Sequence, residues 1–285
     1  MTKKYIPSGA TSFTGILKTV LFGVLACLVL PLVYILINHW IPNIWFAAIS
    51  AVLFGIGLGY FIDLGIGLGK IRNIKVAAFI ALFWGLLAYY MQWVYFDEFM
   101  YNPNGFSFNR NQEGFALLFE DLFFLFTHPS ALIDEIVALN EVGTFRIESS
   151  SNVSGILLWG IWFGEFAIIL TSVVLAVMYG KASEPFSEQN DAWMVKRKPF
   201  MKIPYIEDKE GLIKALDEGD LSLLKQDMDE LDNDRFAEVI VYESNGDPIK
   251  YATIVNTTIV RQKLSKDSMK RNVLVKCYPI SDPSF

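Results

Sequence analysis

Residues 44–69 of this 285-residue chain read IWFAAISAVLFGIGLGYFIDLGIGLG. Asp63 is the only charged residue in this stretch, which is long enough to cross the roughly 30 Å hydrocarbon core of a bilayer as a helix. Its six glycines leave flat surfaces on which other helices can pack closely. The stretch therefore predicts a membrane-spanning helix that packs tightly against its neighbours.

Three further apolar stretches have a similar length. Together with residues 44–69, the predicted spans cover about residues 13–37, 74–96 and 153–179. The composition agrees, because 53% apolar and 19% charged residues with a positive mean hydropathy are unusual for a soluble domain. Residues 1–180 are therefore predicted to form an integral membrane α-helical domain with four transmembrane helices.

The Lys and Arg residues alternate between the two sides of these spans. The loop at residues 97–152 contains only Arg110 and Arg146, and the turn between the first two spans contains neither residue type. Cytoplasmic loops carry an excess of Lys and Arg, so the opposite side is predicted to be cytoplasmic. Both termini are then cytoplasmic, in a plasma membrane or a bacterial inner membrane. The cations on that side are Lys3, Lys4, Lys18, Lys70, Arg72, Lys75, Lys181, Lys196, Arg197, Lys198 and Lys202.

The outer loop at residues 97–152 is predicted to contain short helices. Residues 114–126 read GFALLFEDLFFLF, which is too short to span and suits a helix that lies in the interface or dips into it. Pro129 is expected to start a second helix over residues 130–139. The loop is interpreted either as a lid over the bundle or as a recognition surface for a partner. Its nine acidic residues favour a cationic ligand or partner, or form a solvated surface.

Glu165 is the most informative single residue. Counting along the fourth span places it near the middle of the bilayer, where a carboxylate costs about 2.5–3.5 kcal/mol or more. Cys27, Gly55–Gly59 and Trp84 are expected at the same depth, and none is a cation. We therefore expect a protonated carboxyl. It could fix helix packing, conduct protons or cations, or contact another subunit.

Two other kinds of residue in the spans are predicted to have specific roles. Lys18 and Asp63 are expected at equal depth and could form an ion pair, whereas Gln92 is interpreted as interfacial. Glycines spaced four apart are typical of close helix packing within a chain or, alternatively, of a homo-oligomer. These glycines are Gly55, Gly59, Gly65, Gly69, Gly160 and Gly164.

The remaining sequence is predicted to be water-soluble. Residues 181–204 are interpreted as a juxtamembrane linker, and residues 205–285 as a small cytoplasmic α+β domain. That domain is expected to contain a helical hairpin, about residues 209–217 and 221–231, and a three-stranded antiparallel sheet around the Asn245-Gly246 turn. The linker residues expected to bind anionic lipid headgroups are Trp193, Lys196, Arg197 and Lys198.

The sequence contains none of the common catalytic or phosphate-binding motifs. Neither cysteine has metal-ligand spacing to a histidine. His128 has helical spacing to Glu120 and Asp121 but is interpreted as an interfacial residue, so no metal site and no cofactor are predicted. The net charge of −6 without a basic aromatic patch argues against nucleic acid as a partner. The prediction is a non-enzymatic sensor or scaffold subunit in the lipid bilayer, with protein partners at the outer loop and the cytoplasmic domain. A small ion or proton channel or transporter using Glu165 is the alternative.

Overall fold

The computed structural model describes residues 4–41, 43–102, 111–146, 152–198, 200–224, 232–261 and 268–280. Contacts divide the chain into two compact units. We call Gly9–Ser183 the helical unit, and Met1–Ser8 together with Glu184–Phe285 the sheet unit. The two units are described separately.

Long apolar helices make up most of the helical unit. Helices α1 (Phe13–Trp40), α2 (Ile44–Gly69) and α3 (Ile74–Tyr101) follow one another along the chain, separated by short turns. With α6 (Gly155–Met178), they are the four single helices among the described residues that are long and apolar enough to cross a membrane. The predicted four apolar helices are thus present, although α3 continues five residues beyond the predicted end at Phe96.

Two shorter helices lie between α3 and α6. Helix α4 (Gln112–Thr127) and helix α5 (Pro129–Val142) meet at an angle of 97° and confirm the predicted short-helix loop. The break falls at His128-Pro129, since proline fits the first turn of a helix and cannot continue the preceding one. Two short strands, β1 (Phe145–Arg146) and β2 (Asn152–Val153), then pair before α6. We call the end of the helical unit that carries these elements and the α1–α2 turn the loop end.

Helix α2 packs closely against both α1 and α6 through its glycines. A methyl group added at Gly55 would lie 2.6 Å from Ser172 Cβ, and one at Gly59 would lie 2.6 Å from Ala176 Cβ. On the other face of α2, a methyl group at Gly65 would lie 2.7 Å from Thr19 Cα. Gly69 contacts the backbone of Gly15 in the same way. By contrast, a methyl group at Gly160 or Gly164 would meet no described atom within 4 Å.

In the sheet unit, two short strands, β3 (Phe186–Ser187) and β4 (Ala192–Trp193), form a separate pair. The main sheet is antiparallel and contains β5 (Val195–Lys196), β6 (Met201–Pro204), β7 (Arg235–Glu243), β8 (Lys250–Val260) and β9 (Ser268–Ile280). Both β5 and β6 pair with β7, which also pairs with β8. Helix α7 (Lys209–Glu218) contributes Leu212 and Leu216 to the core of the sheet unit.

This architecture corrects the predicted small domain in two respects. The sheet has five strands instead of three, because residues 195–196 and 201–204 belong to it and are not a linker. The predicted second helix at residues 221–231 begins as a single 3-10 turn, Ser222–Leu224, and the rest lies outside the described residues. The N-terminal segment also joins this unit, since Tyr5 N donates to Cys277 O at 2.9 Å.

The glycine contacts of α2 predict an effect of adding one methyl group. Gly55→Ala should lower the thermal stability of the protein by the equivalent of about 1–3 kcal/mol, because the new methyl would clash with α6. Gly57→Ala is a matched control two residues away, where the nearest atom is Leu30 Cδ1 at 3.8 Å. The control should match the wild type or unfold at a slightly higher temperature. Equal destabilisation by both substitutions would contradict the packing described.

Candidate functional site

A cavity of about 510 Å³ lies at the loop end of the helical unit. Helices α1, α2, α3 and α6 all contribute to its wall, and exposed residues at the α1–α2 turn, including His39 and Trp45, form its rim. The polar residues deeper in the wall are Tyr34, Asn38, Gln92 and Glu165. A cavity of this volume is within the range that holds small organic ligands.

Glu165 lies nearer to the loop end than its position along α6 indicates. Gly55 of α2 packs against Ile169 and Ser172, so Glu165, one to two helical turns earlier in α6, is level with the region around Ser50. Ser50 is six residues beyond Ile44, the first residue of α2, which corresponds to about 9 Å of helix. The expected position of Glu165 beside Gly55–Gly59 at the middle of the bundle is therefore wrong.

Tyr34 of α1 is the hydrogen-bond partner of Glu165. Its hydroxyl donates to Glu165 Oε1 at 2.9 Å, and its ring stacks on Phe54 of α2 with centroids 5.0 Å apart. Only 5% of Tyr34 is exposed, so the phenol is held in one position by packing. Asn38 and Ser50 extend the polar group across the α1–α2 contact, with Ser50 Oγ 2.9 Å from Asn38 Oδ1. The carboxyl therefore has one fixed donor inside the bundle.

Gln92 of α3 completes the polar part of the wall. It is 5% exposed, and its Oε1 atom is buried without a hydrogen-bond partner among the described residues. A buried amide oxygen without a donor costs about 1–3 kcal/mol, which a ligand or water in the cavity could recover. Gln92 therefore lies in the wall of the cavity, and its position at the membrane interface stays a prediction.

Aromatic residues form another part of the cavity wall. Trp93 of α3 and Trp162 of α6 meet edge to face with ring centroids 4.8 Å apart, and Trp93 contacts Phe96 at 5.8 Å in the same geometry. Tyr89 OH donates to Trp162 O at 3.2 Å and ties α3 to α6 at this level. Edge-to-face aromatic pairs restrain one another, so these rings form a defined surface.

The bundle is closely packed on the side of Glu165 that faces away from the loop end. Leu58, Ile169 and Val173 are each 0% exposed there, and Gly59 contacts Val173 O and Ala176 Cβ. Apolar side chains and close backbone contacts at this level leave little room for water or ions. The cavity therefore ends near Glu165 in the part of the chain that the structure describes.

Acidic residues accumulate at the loop end. Asp97 and Glu98, near the end of α3, are 4% and 6% exposed, and Asn102 Nδ2 donates to Glu98 Oε1 at 2.6 Å. In the sequence, these two are among nine acids that either favour a cationic partner or form a solvated surface. The structure buries both within one turn of Phe96 and Met100 of the cavity wall. Among the described residues, the lining of the cavity contains no Lys or Arg side chain. Buried carboxyl groups therefore lie beside a cavity whose described lining has no Lys or Arg charge.

Lys18 and Asp63 each form a hydrogen bond that is not part of the predicted ion pair. Lys18 Nζ donates to Leu68 O at 3.3 Å, at the end of α2. Asp63 Oδ1 accepts a hydrogen bond from the backbone N–H of Lys181 at 2.7 Å, just after α6. Asp63 therefore links α2 to the turn after α6, away from the cavity.

The residues predicted to bind lipid headgroups lie in the sheet unit. Lys196 Nζ is 2.8 Å from Glu184 Oε1, and Arg197 Nε donates to Glu243 Oε1 at 2.9 Å. Trp193 meets Phe186 edge to face with centroids 5.0 Å apart, while Lys198 is exposed. Lys196 and Arg197 thus have acidic partners within their own unit, which weakens the case for headgroup binding at these two positions.

The Arg197–Glu243 pair predicts a pH dependence. Hydrogen bonds from Arg197 lower the pKa of Glu243, assisted by the charges of Arg197 and Lys250 and opposed by burial. A lowered pKa stabilises the folded state above the usual glutamate pKa of about 4, and this contribution disappears as the pH falls through the folded-state value.

Thermal unfolding of the wild type and Glu243→Gln over a pH series measures this contribution. The wild type should be more stable at neutral pH by at most about 1 kcal/mol, because the two side chains are 40% and 34% exposed. The difference should vanish below the pKa of Glu243. A difference that is constant from neutral to acidic pH would contradict the assignment.

Comparison with known proteins adds no functional assignment. No protein-family model matches this chain, and no curated protein and no solved structure matches it. Function therefore has to be inferred from the cavity and from the distribution of charge and apolar surface.

Proposed function

We propose that the protein is an integral membrane protein whose four long helices cross the bilayer, with both termini in the cytoplasm. The length and apolar character of α1, α2, α3 and α6 support the first part. The distribution of Lys and Arg along the sequence supports the second, because residues 97–152 contain only Arg110 and Arg146 and residues 38–43 contain neither type. In this orientation, the cavity opens on the non-cytoplasmic side of a plasma membrane or a bacterial inner membrane.

We infer that the protein is a non-enzymatic sensor or scaffold subunit that binds a small ligand in this cavity. The observation that carries the proposal is the dead end at Glu165, where a cavity with a carboxyl and an unpartnered amide oxygen stops at closely packed apolar residues. Such a site can hold a ligand without passing it through the bundle. Protein partners would contact the cytoplasmic sheet unit and the α4–α5 segment.

The exposed surface of the helical unit supports contact with lipid and with a second copy of the chain. Phe119 and Phe123 of α4 are 67% and 69% exposed, as expected for a helix that lies in the interface. Gly160 and Gly164 have open space beside them, so another helix can approach α6 there. A homo-oligomer through this face of α6 is part of the proposal.

A channel or transporter that uses Glu165 is the second candidate. The observation that favours it is the Tyr34–Glu165 hydrogen bond, because a phenol and a carboxyl inside a bundle can exchange a proton. The packed residues Leu58, Ile169 and Val173 disfavour a continuous path in this conformation.

Flux measurements on proteoliposomes distinguish the two candidates. Proton and potassium flux through the wild type should equal that of empty liposomes, because the cavity ends at Glu165, and Glu165→Gln should not change it. Exposed Glu113 of α4 provides the matched control, Glu113→Gln. A wild-type flux that Glu165→Gln abolishes, and Glu113→Gln does not, would contradict the sensor proposal and support the channel.

A further inference from the structure

We propose that the cavity binds a small organic ammonium compound whose N–H groups donate to Glu165 and Gln92 and whose apolar part lies against Trp93 and Trp162. The inference rests on the proposed ligand-binding function and names the chemical class of the ligand. Its basis is the match between the charge, the hydrogen-bonding capacity and the aromatic surface of the site.

Glu165 provides an acceptor that its protein partners leave partly unused. Tyr34 OH donates to Oε1, whereas Oε2 receives no hydrogen bond from the described residues. The carboxyl that is expected to be protonated without a ligand would ionise beside a bound cation. An ionised carboxylate only accepts hydrogen bonds and has about four sites for donors. The remaining sites call for N–H or O–H donors, and a positive charge on the donor strengthens the bond.

Gln92 provides a second acceptor in the same wall, on a different helix. Its buried Oε1 atom has no partner among the described residues, although more than nine-tenths of the side chain is buried. A ligand with at least two N–H groups could donate to both oxygens. Primary and secondary ammonium groups have two or more N–H bonds, whereas a quaternary ammonium has none. The pair of acceptors therefore favours a protonated amine.

The aromatic wall suits the rest of such a ligand. The Trp93–Trp162 pair and Phe96 present ring faces and edges beside the polar residues, so a cation near them gains from the ring quadrupole. Moving an aryl or alkyl group from water onto this aromatic surface lowers the free energy. Buried Asp97, one residue from Phe96 of the cavity wall, and a described lining without Lys or Arg favour a cation over an anion. An anionic ligand would be repelled by the carboxyl groups of Asp97 and Glu165.

The cavity is large enough for a compound of this class. Its volume of about 510 Å³ exceeds what a simple ammonium ion needs and suits an amine with an attached ring or chain. Inorganic cations are disfavoured for a second reason, since aromatic rings occupy one wall and cannot supply the oxygen ligands that such ions require. An organic ammonium compound with a ring or chain can contact both the polar and the aromatic parts of the wall.

The test compares 2-phenylethylammonium with 2-phenylethanol, which has nearly the same size but no charge, and with N,N,N-trimethyl-2-phenylethylammonium. Binding to the full-length protein in nanodiscs is measured by calorimetry and by the shift in unfolding temperature. The protonated amine should bind and raise the unfolding temperature more than either analogue. Its affinity should exceed that of the alcohol by about tenfold or more, since a charge-assisted hydrogen bond is lost in the alcohol.

Two variants test the assigned acceptors. Glu165→Gln keeps an oxygen for Tyr34 but removes the charge, and Gln92→Leu removes the second acceptor while keeping the apolar volume. Each should weaken amine binding by about tenfold and leave binding of the alcohol unchanged. Glu113→Gln, at an exposed site in α4, should bind both compounds as the wild type does. Because Gln92→Leu adds no polar group to the core, it remains informative even if Glu165→Gln fails to fold.

Three results would overturn the inference. They are equal affinity for the amine and the alcohol, tighter binding of the quaternary compound, and no binding of the amine at all. The first two would leave the cavity as a ligand site of another chemical class, so the proposed function would stand. The proposed function fails separately, when the wild type conducts ions and Glu165→Gln abolishes the flux.

Discussion

The close approach of α2 to both α1 and α6 is the constraint on which the helical unit depends. Gly65 and Gly69 bring the backbone of α1 against α2, and Gly55 and Gly59 do the same for α6. Backbone contacts of this kind have no side chains that can adjust, so they fix the relative levels of three helices. Tyr34 and Glu165 reach the same level as a result and form the hydrogen bond that a carboxyl inside the bundle needs.

The helical unit is packed differently on the two sides of Glu165. Away from the loop end, glycines and fully buried aliphatic residues such as Leu58 and Val173 leave the helices in close contact. Towards the loop end, Trp93 and Trp162 occupy the interface between α3 and α6. Tryptophan cannot be packed as closely as glycine, so a space remains among the helices. The polar residues that lie at this boundary line the closed end of the cavity.

The sequence predicted the apolar helices well because uninterrupted apolar runs of this length are a strong signal for long apolar helices. It predicted the depth of Glu165 incorrectly, because counting along one helix assumes that all helices begin at the same level. Packing on Gly55 shifts α6 relative to α2, and no local pattern in the sequence reports that shift. The sequence did contain a signal that Gln92 lies in a polar part of the bundle, since an amide in an apolar span needs a hydrogen-bond partner. Tyr34 had none, because a tyrosine near a helix end is typical of any membrane interface.

In the sheet unit, too, the sequence did not predict strands whose pairing depends on distant residues. Residues 195–196 and 201–204 are short, and residues 196–202 contain four cations, so this stretch looks like a basic linker. Their pairing partner, β7 (Arg235–Glu243), lies some 40 residues further along the chain, so only tertiary structure reveals the two strands. The central hairpin was predictable because Asn245-Gly246 is a local turn signal between β7 and β8.

Thiol accessibility from each side of the membrane tests the central claim, a cavity that opens at the loop end and stops at Glu165, most directly. Glu165→Cys and Val173→Cys are made without the native cysteines, Cys27 and Cys277, and are treated with a charged, membrane-impermeant methanethiosulfonate. The thiol of Glu165→Cys is expected to react from the non-cytoplasmic side only, and the thiol of Val173→Cys from neither side. Reaction of Glu165→Cys from both sides would show a continuous aqueous path, and any reaction of Val173→Cys would show that the packing beyond Glu165 is open. Either result would contradict the account.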